Sequence, residues 1–211
     1  MTYLALFFVG SVYFINGLAI LNLVDSKASA PLNIFVGSLL LAVTAYLIVP
    51  LSNLSTSENL YVVVNSIGYL LFAFTFLYVG IVNYSGHSNI GLGWYCGWSA
   101  LVSACLSVTQ FVKYGDYKSG ALWAVWTIVF IAFFVMIIGK TNRFDRAIGW
   151  FIIIAGFTTC FVPGGLMILG VWEHLSNGVV FTMEFGTIAL FGVLPLLLRS
   201  ATQAAESRKR V

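Results

Sequence analysis

The chain has 211 residues, of which 60% are hydrophobic and 8% charged, with a formal net charge of +3. A soluble domain carries about 25% charged residues to cover its surface, so this composition excludes a water-soluble globule and leaves an outer surface that faces lipid. The apolar runs are continuous, as from Val125 to Ile138. They lack the alternation of a membrane β-barrel, and a backbone in hydrocarbon must otherwise satisfy itself within helices.

Seven segments are long enough to cross a bilayer, which takes about 20 apolar residues each. The first, Thr2–Val24, has no basic residue before it and no small-residue cleavage site after it, so it reads as a retained helix and not a signal peptide. It carries Asn16, and the second segment, Pro31–Leu51, carries Asn33; both asparagines are expected to fix helix contacts. The third, Leu60–Tyr84, places Phe72 and Phe76 one turn apart, with Asn83 further along that face. The fourth, Leu92–Tyr114, repeats Ser99, Ser103 and Ser107 at four-residue steps beside Ala100 and Ala104. Such a small-residue face lets backbones approach closely, within a protomer or between protomers.

The fifth, Gly120–Gly139, spaces Trp123, Thr127, Phe130 and Phe134 along one helix face. The sixth, Ala147–Trp172, carries Trp150, Phe157 and Phe161, then Val162-Pro163-Gly164-Gly165, where proline removes a backbone donor and a kink or an end is expected. The seventh, Gly178–Leu198, contains Glu184, the one ionisable group deep in a span, and a basic tail follows at 199–211. The links Asp25–Ala30, Ser52–Asn59, Ser85–Gly91, Gly115–Ser119, Lys140–Arg146 and Glu173–Asn177 leave no room for a soluble domain. Residues 1–198 therefore read as a single all-α transmembrane domain whose neighbouring helices run antiparallel.

Charge sets the orientation. Lys27, Lys140, Arg143, Arg146, Arg199, Arg208, Lys209 and Arg210 fall on one side of the membrane, and only Lys113 and Lys118 on the other. The positive-inside rule then puts the amino terminus outside and the carboxyl terminus in the cytoplasm, which requires an odd number of spans. The Arg208-Lys209-Arg210 run reads first as this topology signal, with a lipid-binding or partner-binding patch as the alternative.

The chemistry on offer is narrow. His87 and His174 lie in or beside links on opposite sides, so the facing histidines of a membrane haem site are missing, and no zinc motif or P-loop occurs. The odd set Cys96, Cys105 and Cys160 sits in apolar runs and reads as packing, not a disulfide framework. No lysine in the seventh span is available for a Schiff base. No cofactor, metal or nucleic acid is expected, and no nucleophile–base pair points to an enzyme. Asn65, Thr75, Gln110, Thr158 and Thr159 are the other neutral polar groups within spans. The stripes on the third, fifth and sixth segments are each explicable as packing. If they converge they form a narrow, flat-walled slot, suited to a small planar uncharged solute whose N–H groups meet ring faces, and closed to hydrated ions.

The runs Phe8-Val9-Gly10 through Asn16-Gly17, Val24-Asp25 and Leu32-Asn33-Ile34-Phe35-Val36-Gly37 resemble the start of the AmiS/UreI family of urea and short-chain amide channels. Phe72-Ala73-Phe74-Thr75-Phe76-Leu77-Tyr78 is similar to that family's third-helix motif. Gly91-Leu92 with Gly97-Trp98, Trp123-Ala124, and Trp150 to Gly156 with Pro163 resemble its later helices, so the likeness spans about residues 2–172. The resemblance implies a six-helix twisted channel bundle of three successive two-helix hairpins, with a seventh helix added, each protomer enclosing its own channel in a homo-hexamer of a bacterial cytoplasmic membrane. It implies channel-lining positions at Leu6, Val9 and Tyr13, at Phe72 and Phe76, and at Trp123, Phe130 and Phe134, beside which Thr127 falls on the same stripe. It also implies a functional link to a cytoplasmic amidase or urease.

The chain departs from some members at Phe130 and Phe134, where they carry tryptophan, and at Ala155, where they carry an acid. Both departures favour amides such as acetamide over urea. Histidine is the natural switch near neutral pH, and with His174 alone on the expected outer side no strong acid gating is predicted. A passive channel is the leading expectation. A proton-coupled transporter using Glu184, or a structural subunit with no flux, are the alternatives.

Overall fold

A computed structural model describes residues 2–51, 56–140 and 144–209, with side chains through 198. It is a bundle of seven helices each long and apolar enough to cross a membrane: α1 (Thr2–Ile20), α2 (Ser26–Ile48), α3 (Ser57–Ser85), α4 (Ile90–Tyr114), α5 (Tyr117–Gly139), α6 (Asp145–Ile168) and α7 (Asn177–Lys209), whose apolar part is Asn177–Leu198. Local chemistry sets the ends. The Asp25 carboxylate accepts from the Lys27 N–H at the start of α2, Thr56 Oγ1 from Asn59 N–H at the start of α3, and Asp116 from Ser119 N–H at the start of α5. These side chains satisfy amides that the first turn leaves unpaired. Gly86 and Gly115 end α3 and α4 at positive φ, 73° and 63°, where a side chain would be strained.

Successive helices alternate in direction. The ends at which α1, α3, α5 and α7 begin form the upper end of the bundle, with Lys118 beside it; Lys27, Lys140 and Arg146 mark the lower end. Arg143 and Arg210, and the side chains of Arg199, Arg208 and Lys209, fall outside the described residues, as does most of the predicted link Ser52–Asn59.

The most extensive packing joins α2 to α3, α4 to α5, and α1 to α6. Missing side chains explain these close approaches. A Cβ at Gly17 would lie 2.8 Å from the Gly149 carbonyl oxygen, and one at Gly156 would lie 3.2 Å from that of Gly10, so α1 and α6 cross almost backbone on backbone. Gly37 against Ala73 and Gly80 against Ala30 do the same for α2 and α3, at 3.0 and 3.1 Å. The serine face of α4 turns inward onto α5: Ser99 and Ser103 are fully buried, and the Ser107 hydroxyl donates to the Gly120 carbonyl at 2.8 Å. This face is thus an interface inside the protomer.

Asn16 and Asn33 exchange two amide hydrogen bonds, at 2.9 and 2.7 Å, across α1 and α2, and Asn33 also donates to the Ser29 carbonyl. They fix a helix contact, as expected. Before Pro163 the sixth helix loosens into a π-helical turn, Phe157–Phe161, in place of a simple kink. Such turns absorb a helix irregularity and re-aim side chains. The seventh helix packs on α5 and α6, which touch one another sparingly, and so fills the cleft between them. Phe151 stacks on Phe191 at 4.1 Å, and the Thr187 hydroxyl donates to that of Thr158 at 3.1 Å.

Candidate functional site

At the upper end the helices splay around a cavity of about 600 Å³. The Tyr61 hydroxyl donates to Asp116 at 3.0 Å, Asn65 Nδ2 donates to the Tyr61 carbonyl at 2.9 Å, and Gln110 Nε2 donates to Asn65 Oδ1 at 2.9 Å. This seam ties the start of α3 to the π-helical end of α4, Gln110–Tyr114, and to the start of α5. Across the cavity the Lys118 ammonium donates to the carbonyls of Trp172 and Glu173, at 2.8 and 3.2 Å, and lies 5.7 Å over the Trp172 ring. Leu6, Tyr69 and Leu122 line the descending wall, and Trp123 and Trp126 lie at the bottom.

Below that floor the rings close. Phe72 is the hub: its centroid lies 5.9 Å from Trp123, 5.0 Å from Trp126, 5.4 Å from Phe130, 5.8 Å from Phe76 and 6.3 Å from Tyr13. All six side chains are buried, Phe130 at 1% exposure and Trp126 at 6%. The cluster therefore draws on α1, α3 and α5 and presents mainly aromatic faces and edges. Two polar handles enter it. Trp126 Nε1 donates to Thr159 Oγ1 at 2.9 Å, and that hydroxyl donates to the Ala155 carbonyl at 2.6 Å, so the π turn of α6 holds the indole. The Tyr13 hydroxyl, fully buried, has no hydrogen-bond partner among the described residues. Room for Trp123 comes from Gly68, where a Cβ would stand 2.1 Å from the indole ring.

A sequence model of the AmiS/UreI family, described as AmiS/UreI family transporter, matches residues 1–171. The chain belongs to the AmiS/UreI family. Among its curated relatives is the putative transporter protein AmiS2 of Rhodococcus erythropolis, 31% identical over 206 residues, covering 97% of this chain and 96% of that one. A putative amidate substrates transporter protein of Mycolicibacterium smegmatis is 29% identical over 88% of this chain and 85% of its own. The acid-activated urea channel of Helicobacter pylori is 25% identical over 80% of this chain and 98% of its own. The fold agrees: the closed-state structure of the H. pylori urea channel superposes with a TM-score of 0.72 at 26% identity, covering 83% of this chain and all of that one. The family is one of urea and amide channels and transporters, multi-pass in the membrane.

Set within the AmiS/UreI fold, the residues expected to line a channel divide. Tyr13, Phe72, Phe76, Trp123 and Phe130 meet in the ring cluster, Val9 is buried in the same core, and Leu6 lines the cavity above. Thr127 is half-buried, its hydroxyl turned back on the Trp123 carbonyl at 2.8 Å. Phe134 does not join the cluster. Its ring fills the gap left at Gly97 of α4 and meets Trp94 edge-on at 5.5 Å. The sixth-helix stripe stays outside as well: Trp150, Phe157 and Phe161 are 40–45% exposed, and Phe157 and Phe161 pack on Phe14 and Phe7 along the outer surface. What α6 turns inward is Phe151, Ile152, Ala155 and Thr159.

Two parts of the site escaped the sequence reading. Trp126 belongs to the cluster at three residues from Trp123, a helical spacing as valid as the four that points to Thr127. The Asn65–Gln110 pair joins residues 45 apart in sequence, and neither signals the other. Glu184 is fully buried on α7, and neither carboxylate oxygen has a hydrogen-bond partner among the described residues. Its neighbour across the interface is Cys160 of the π turn, within electrostatic reach.

Proposed function

We propose that the chain is a passive channel for small, neutral, planar solutes, short-chain aliphatic amides such as acetamide and also urea, with the slot formed by Tyr13, Phe72, Phe76, Trp123, Trp126 and Phe130. The observation that carries this reading is the ring cluster itself, buried at the foot of an open cavity and built from three helices without a charged group. Ring faces attract N–H edges and stack on an amide plane, whereas an ion entering the cluster would lose hydration that nothing replaces. The unpartnered Tyr13 hydroxyl supplies one hydrogen bond to the passing solute. Amides rank above urea because the putative amidate substrates transporter is 29% identical over 88% of the chain, against 25% over 80% for the urea channel.

The upper end is the outer face in this reading, consistent with the basic residues at the lower end. The protomers form a homo-hexamer in a bacterial cytoplasmic membrane and feed a cytoplasmic amidase or urease, whose hydrolysis maintains the gradient.

One observation favours a second reading, proton-coupled transport: Glu184 is a buried acid whose carboxylate has no hydrogen-bond partner among the described residues, and intramembrane acids commonly mark proton paths. Shrink–swell kinetics of proteoliposomes separate the two. Under the channel reading Glu184→Gln keeps full acetamide flux, and a pH gradient drives no accumulation. Accumulation above equilibrium that disappears in Glu184→Gln would establish coupling instead.

A further inference from the structure

The cavity above the rings is larger than a passage for acetamide requires. At about 600 Å³ it falls within the size of ordinary small-molecule sites, about 300–1,000 Å³. Its floor is aromatic, Trp123 and Trp126, with the Tyr69 ring on the wall above them. Its main charges are already engaged: Asp116 accepts from the Tyr61 hydroxyl and the Ser119 N–H, and Lys118 is bound to two backbone carbonyls. Glu173 remains exposed at the rim.

Asn65 supplies the recognition. Its amide is locked at both atoms, Nδ2 to the Tyr61 carbonyl and Oδ1 from Gln110 Nε2. A carboxamide has two N–H donors and two acceptor lone pairs. One lone pair of Asn65 Oδ1 therefore remains in a fixed direction to accept an N–H of another primary carboxamide, while its second N–H lies toward the Tyr61 hydroxyl, which shares it with a ligand carbonyl. Tyr69 stands one helical turn further down the same face of α3.

We propose that this cavity is a binding site for uncharged aromatic carboxamides, too wide for the ring cluster, which seat the amide on Asn65 and the ring against Tyr69 and the indole floor. A ligand of this class enters the mouth, does not pass, and plugs it. The binding stands on the cavity alone; only the effect on flux rests on the channel reading.

The test uses benzamide and its two flat charged analogues, benzoate and benzamidinium, with the full chain in nanodiscs and in proteoliposomes. Calorimetry on the nanodiscs is expected to give saturable binding of one benzamide per chain, with benzoate and benzamidinium at least tenfold weaker. Asn65→Leu is expected to weaken benzamide at least fivefold. Val62→Trp, at the half-exposed cavity wall, is expected to abolish binding by filling the space, which covers the case in which Asn65→Leu fails to fold. In proteoliposomes benzamide is expected to block acetamide flux at the concentration that half-saturates binding. Absent saturable binding, equal binding of the charged analogues, or binding unchanged in both variants would overturn the proposal. Benzamide binding without any acetamide flux would uphold the site and sink the channel reading.

Discussion

Gly68→Ala adds one methyl group where the structure has least room for it. The new Cβ would stand 2.1 Å from Trp123 Cζ2 and 2.3 Å from Cη2, against a favourable carbon–carbon separation of about 3.5 Å or more. The indole edge must therefore retreat by about 1.4 Å. Away from α3 it meets Trp126, already edge-on at 4.7 Å, so the displacement narrows the floor of the cavity and jams the cluster. Overpacking of this kind costs about 1–3 kcal/mol. If half of that falls on the permeation barrier, acetamide flux drops about two- to thirteenfold, since 1.4 kcal/mol is about a factor of ten. Stopped-flow light scattering on proteoliposomes with matched protein content reads the flux. A second substitution, Trp123→Leu, removes the collision and is expected to restore flux in the Gly68→Ala background. A folded Gly68→Ala protein with unchanged flux, or one that Trp123→Leu fails to rescue, would refute the placement of Trp123 at the slot.

Tyr13→Phe removes the one unpartnered hydroxyl in the cluster; a neutral hydrogen bond contributes about 0.5–1.5 kcal/mol, so acetamide permeability is expected to fall about two- to tenfold, with thermal stability unchanged. Asn16→Leu breaks the reciprocal amide pair with Asn33 and leaves a buried amide short of a partner, so stability in detergent is expected to fall by about 1–3 kcal/mol, read by thermal unfolding, while flux per folded protein persists. His174 and His87 are both exposed, and flux is expected to change less than twofold between pH 7 and pH 5, in wild type and in His174→Ala alike; a severalfold rise in both would show gating by another group.

The spans were legible because hydrocarbon imposes its demand on composition, residue by residue. The stripe on α3 was legible because Phe72 and Phe76 both face the bundle centre. The stripe on α6 was misleading: glycines 149 and 156 bring α6 onto α1, and that close crossing turns Trp150, Phe157 and Phe161 outward. Periodicity says which residues share a face, never which neighbour the face meets. Phe134 shows the same limit, since its ring follows the vacancy at Gly97, on another helix. The cavity wall was invisible for a related reason: Asn65, Gln110 and Asp116 converge only after α3, α4 and α5 have packed.

The central claim is passive permeation through the ring cluster, and shrink–swell kinetics in proteoliposomes, with acetamide and urea at equal pH on both sides, test it most directly. The account predicts saturation-free flux well above that of empty liposomes, faster for acetamide than for urea, and altered by Trp123→Ala. Flux no greater than that of empty liposomes, from protein shown to be folded, would contradict it.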